Sequence, residues 1–176
     1  MALGNHMPAG LKQTSSIISI GFSTIESAAN TFTQSQIDLN LSPLDREVFV
    51  VLGVNLDPYT PDASTGTDSD VRSALTSTSQ TVMTDLANAN CIASSGNYIR
   101  GANFADGGCA FQSLGQETPG AQLDYLAIIS TSDFFVSVVG RGNVLAKGVS
   151  GKMYGYRARA SADIFAALVQ SEVLSA

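Results

Sequence analysis

From residue 14 to residue 160, apolar and polar side chains alternate with a period of two, β-branched and aromatic residues are enriched, and turn residues punctuate the runs. In the first run Ser16, Ile18, Ile20 and Phe22 share a face. In the second, Ile37, Leu39 and Leu41 lie opposite Gln36, Asp38 and Asn40. Ser42-Pro43-Leu44-Asp45 then reads as a turn, with Pro43 presetting the backbone and Asp45 capping it. The longest run, Glu47 to Leu56, puts Val48, Val50, Leu52, Val54 and Leu56 on one side and Phe49 and Val51 on the other. A strand that is apolar on both sides needs two covers: a second sheet on one, and a different element on the other.

After a long loop, Asp57–Asp70, a Ser/Thr-rich strand is expected around Ser73–Met83. A turn of helix at Thr84–Asn88 and short strand pieces near Tyr98–Arg100 and Cys109–Leu114 follow within a Gly/Asn-rich stretch. Leu123–Ser130 and Asp133–Gly140 are again apolar on both faces, as central strands are. At Ser161 the period changes to that of a helix, running to Leu174. Ser161 suits the N-cap and Asp163 the positive end of the helix dipole. Ala162, Phe165, Val169 and Val173 form one apolar stripe, with Ile164 and Leu168 another beside it. The expected fold is an all-β, antiparallel β-sandwich, jelly-roll-like, with a C-terminal α-helix. It divides into an N-terminal arm (1–13), the sandwich (14–160) and the helix (161–176), one domain overall. An immunoglobulin-type sandwich is disfavoured, because Trp is absent and Cys91 and Cys109 stand too close in sequence.

Composition changes this picture in one respect. Charged residues make up 14% of the 176, so Ser, Thr, Asn, Gln and Gly must cover most of the surface. Such a surface suits a protein held in an assembly or working outside the cell. The net charge of −6 is uneven: residues 1–140 hold four basic against thirteen acidic residues, while 141–159 hold five basic residues and no acidic one. An acidic chain is a poor general ligand for nucleic acid, which is not expected as a partner. The start, MALGNHMPAGLKQ, lacks the basic and apolar regions of a signal peptide, and no window approaches a membrane span. Cys91 and Cys109, in no CxxC pattern, read as two free buried thiols or as a single disulfide.

Catalytic chemistry is hard to find. With His6 the single histidine, Ser-His-Asp and Cys-His catalysis and multi-histidine metal sites have no material. Ala146-Lys-Gly-Val-Ser-Gly-Lys-Met153 imitates a phosphate loop, but Ala146 replaces its first Gly and Met153 its Ser or Thr, and it leads into a strand. Nothing selects a carboxylate pair for glycoside hydrolysis. No enzyme and no cofactor are expected. The Asp57–Asp70 loop gathers Asp57, Asp62, Asp68 and Asp70 with hydroxyl oxygens; it is either a solvated acidic loop or a calcium site bridging neighbouring subunits.

The basic stretch 141–159 reads as a hairpin in which Tyr154 and Tyr156 pack inward while Arg157 and Arg159 point outward. Either its exposed residues happen to be basic, or Lys152, Arg157 and Arg159 meet carboxylates of another copy, alongside an apolar contact through Phe165, Leu168 and Val169. The whole plan, a polar arm, a charge-poor sandwich and the apolar end "SADIFAALVQSEVLSA", resembles small coat, cement or decoration proteins of icosahedral viruses. That resemblance implies a virion structural protein, a single jelly roll whose partners are itself and other shell proteins. The weakly basic arm, with only Lys12, departs from family members that package a genome through it. The alternative is a carbohydrate-binding or receptor-binding β-sandwich.

Overall fold

A computed structural model describes residues 7–114 and 123–175. Among the described residues ten strands and one helix follow in chain order: β1 Leu11–Gln13, β2 Ile18–Ile25, β3 Thr33–Asp38, β4 Glu47–Pro58, β5 Ser69–Thr76, β6 Cys91–Arg100, β7 Ala110–Leu114, β8 Ala127–Ile129, β9 Asp133–Arg141, β10 Gly148–Ala160 and α1 Ala162–Leu174. Their pairing is nested. β5 pairs with β6, β4 with β8, β3 with β9 and β2 with β10, all antiparallel, as in one long hairpin. Two further ladders, β4 with β10 and β5 with β9, roll that hairpin into two five-stranded sheets. One sheet runs β1–β10–β4–β8, with β2 also on β10, and the other runs β3–β9–β5–β6–β7. This is the jelly-roll sandwich expected from the alternation.

Between the sheets lies the main core, built on Phe49, Val51, Val71, Leu75, Ile129, Phe134, Val136 and Met153. Phe22 meets Phe134 edge to face, with ring centroids 5.8 Å apart. A second cluster lies on the outer side of β4 and β10, where Val48, Val50, Tyr156, Ala158 and Ala160 are closed over by Leu11 and by Ile164, Phe165 and Leu168 of α1. The helix is therefore the second cover that β4 requires.

A bulge alters the expected faces. Tyr154 lies opposite Gly53 and Gly155 opposite Val51, leaving Leu52 without a partner. The extra residue reverses the alternation of β4. Val54 and Leu56, expected beside Val48 and Val50, instead join Phe49 and Val51 in the main core. Gly155 sits at this step, and a methyl group there would overlap the Val50 carbonyl and the Phe49 ring.

Other elements shifted too. Residues 11–13 of the expected arm form a strand on this chain's own β10, Leu11 opposite Ala160. β5 ends at Thr76 rather than Met83, and Thr84–Asn88 holds turns rather than helix. β6 begins at Cys91, seven residues before the expected Tyr98, because its inward Ala93 and Ser95 are too small or polar to show as a hydrophobic run. Both cysteines are free; Cys91 is half-buried and Cys109 exposed, so the expected burial fails for Cys109.

Replacing Gly155 with Ala is expected to cost about 2–3 kcal/mol by overpacking. Gly53→Ala, where an added methyl meets nothing within 4 Å, should stay within about 0.5 kcal/mol of the parent. Urea unfolding of the two variants measures both.

Candidate assembly surface

The helix is held at both ends. Ser161 has the extended backbone of an N-cap, but its side chain makes no capping hydrogen bond; its amide donates to Gly10 O at 3.1 Å instead. Asp163 occupies the first turn as expected. At the other end Glu172, buried among its neighbours, accepts from Ser130 N (3.1 Å), Ser130 Oγ (2.7 Å) and Thr131 N (3.0 Å). Glu172 continues the Ile164–Leu168 stripe by another four residues, so the inward face of α1 ends on a carboxylate that ties it to the β8–β9 turn.

The outward stripe is left open. Val173 and Leu174 are exposed, Phe165 and Val169 half-buried, and Gln170 is the polar residue among them. With Ala166 they make a shallow apolar depression of about 520 Å³. It runs into a groove of about 400 Å³ between α1 and the turns before β4 and β9, lined by Leu41, Pro43, Glu47, Thr131, Phe165 and Val169. The expected apolar trio thus divides: Leu168 faces the sheet, while Phe165 and Val169 line both the groove and the depression.

The basic stretch is largely neutralised within the chain. Arg141 lies 2.7 Å from Asp70, Lys147 2.5 Å from Asp62, Arg157 3.4 Å from Glu47, and Arg159 3.5 Å from Asp45. Arg157 also donates to Leu39 O (2.7 Å) and Asn40 O (3.1 Å), so it turns toward the β3–β4 connection rather than outward. Arg159 remains about half exposed, and Lys152 is exposed without an ion-pair partner among the described residues. Tyr156 is buried, as expected, and its cover is α1, whereas Tyr154, expected to pack inward with it, is exposed. Burial under the helix and the nearby Asp124 push the Tyr156 phenol above its usual pKa.

The four aspartates do not converge. Asp62 receives Lys147 Nζ and the amides of Val144 (2.9 Å) and Leu145 (3.3 Å), which hold its carboxyl below the usual range. Asp68 receives the amides of Ala102 (3.1 Å) and Gly101 (3.0 Å) and the Arg100 guanidinium, and is lowered likewise. Asp70 is buried between Arg141 and Arg72, and Asp57 is exposed on β4. Among the described residues no group of three His, Cys, Asp or Glu side chains stands together. No described helix is long and apolar enough to cross a membrane.

Two structural residues escape a sequence reading. Glu26, buried, accepts from Gly140 N (2.6 Å) and Lys147 N (2.8 Å), pinning the β9–β10 turn to the end of β2. Asn143 in that turn donates to Asp70 O (2.9 Å) and accepts from Asp62 N (2.8 Å). Their partners lie from 73 to 121 positions away, so no local pattern announces them. Glu172 did leave a signal: a carboxylate at the next step of an apolar stripe. On the outer side of the second sheet, Arg72, Asp85, Ser94 and Tyr98 line a polar cleft of about 260 Å³.

The chain is thus a jelly-roll sandwich capped by a helix whose outer stripe is uncovered. No family model matches it, and no curated protein matches it. Among solved structures it is similar to one titled Desmodium yellow mottle tymovirus, with 10% sequence identity and a TM-score of 0.30, over 89% of this chain and 95% of that one.

Glu172→Gln turns an amide NH2 toward the backbone N–H of Ser130 or of Thr131, and should cost about 1–3 kcal/mol in unfolding free energy. Acid should act on the Asp62 and Asp68 sites. Their pKa values are lowered in the folded state, so the stabilisation is complete above the unfolded carboxylate range, about pH 4, and is lost as pH falls through the folded values. Asp62→Asn and Asp68→Asn should therefore flatten the decline of stability below about pH 4, as followed by urea unfolding across pH.

Proposed function

We propose that this chain is a structural subunit of a virion shell, as capsid building block or as decoration protein, and that it works by self-association and by contact with other shell proteins rather than by catalysis. Jelly rolls serve viral capsid proteins, lectins and cupins alike, so fold does not choose between these. The observation that supports a shell role is the outer stripe of α1, with Val173 and Leu174 open to solvent and Phe165 and Val169 half-buried beside an apolar groove. Contiguous apolar surface supports such a role where it continues beyond the helix itself, as it does here into the groove. Charge supports the same reading: with four of the five cations of 141–159 paired inside the chain, apolar contact is the stronger source of association. Lys152 and the exposed part of Arg159 would then sit at the rim of such a contact, where charges set orientation more than affinity. The carbohydrate-binding reading draws on the Arg72–Tyr98 cleft.

Sedimentation velocity and light scattering separate the two. The parent protein should form a defined oligomer or large particle, and Val173→Asp should return it to monomer with unchanged circular dichroism. A parent that stays monomeric at high concentration while sugar titration shifts the resonances of Ser94 and Tyr98 would sink the shell reading and favour the other.

A further inference from the structure

The outward face of α1 is too small to hold two subunits together. Thirteen residues span about 20 Å, and a helix is about 10 Å wide, so its footprint is about 200 Å². A stable contact needs about 800 Å² from each partner. Whatever covers α1 must therefore extend onto adjoining surface, and the adjoining surface has a definite shape.

Beside the groove, the turn Ser42–Glu47 is rigidly built: Ser42 Oγ donates to Asp45 Oδ2 (3.0 Å), Arg46 N to Pro43 O (3.1 Å) and Glu47 N to Ser42 O (3.0 Å). At its tip Leu44 is 97% exposed, an apolar side chain presented by a fixed backbone. Next to it Arg46, exposed and at φ 54°, has no ion-pair partner among the described residues. The groove carries the complement. Its lining joins Leu41, Phe165 and Val169 to two carboxylates: Glu47, already paired with Arg157, and Asp133, which accepts from Gln36 Nε2 and has no cation of its own among the described residues. Knob and hole lie side by side on the same molecule, so a two-fold axis between them would seat the knob of each copy in the hole of the other.

Resting on the shell-subunit reading above, we infer that α1 is covered by a second copy of this chain in a reciprocal contact, the Leu44 turn of each subunit entering the groove between α1 and the β8–β9 turn of its partner, with Arg46 facing the partner's Asp133. The exchange removes Leu44, the most exposed large apolar side chain among the described residues, and the groove-lining part of the α1 stripe, Phe165 and Val169, from water together. It also places one guanidinium against the Asp133 carboxylate, which fixes the register of the pair.

Two variants and one cross-link test this. Leu44→Asp, at a position that touches nothing, leaves the fold intact and should weaken self-association roughly tenfold or more. In a Cys109→Ser background, Leu44→Cys chains mixed with isotope-labelled Val169→Cys chains should yield, on mild oxidation, a disulfide-linked peptide pair joining residues 44 and 169 of differently labelled chains. If Leu44→Asp associates like the parent and no such pair forms, while Val173→Asp still disperses the assembly, the reciprocal contact is wrong and the shell reading stands. If neither substitution changes association, both fall.

Discussion

The fold depends on the pairing of β4 with β10, because these two strands are asked to bury both of their faces. Toward the other sheet they supply Phe49, Val51, Val54 and Met153, and toward α1 they supply Val48, Val50, Tyr156 and Ala158. A sheet left bare on its outer side would expose Val48, Val50 and Tyr156 to water, at roughly 25 cal/mol per Å². The helix and the Leu11 strand answer that demand. Gly10 shows how closely: with φ 80° it lets the chain enter β1 directly against Ile164, where a side chain would collide. The bulge at Leu52 serves the same end, since it lets β4 keep its large residues inward along the part of its length that α1 does not cover.

A helix recruited to cover a sheet has its own second face to account for. On most globular proteins that face is charged. Here α1 carries two charged residues, and one of them, Glu172, is spent on the β8–β9 turn. The sequence of the helix therefore satisfies the interior and leaves Val173 and Leu174 on an open apolar stripe. Elsewhere the chain neutralises itself. Asp62, Asp68 and Asp70 take side-chain cations or backbone amides of this chain, and the β9–β10 turn is held by Glu26 and Asn143. Polar groups in this molecule build its ends and hold its loops, while the open stripe of α1 is apolar.

What residues 14–174 determined by themselves was whatever rests on local period. Alternation specified strands and an all-β sandwich; valines on both sides of β4 specified two covers; the change of period after Ala160 specified a helix to supply one of them. Even the open stripe of Phe165, Val169 and Val173 is written in spacing alone. Only the tertiary structure decided which partners those elements meet. Arg157 turned toward Leu39, Asn40 and Glu47 more than a hundred positions away, and the aspartates of one loop dispersed among different cations and amides. One inserted residue at Leu52 moved Val54 and Leu56 across the sheet. The physical reason is range: side-chain direction follows from neighbours two to four residues apart, whereas charge pairing and register are settled by backbone ladders that join the two ends of the chain.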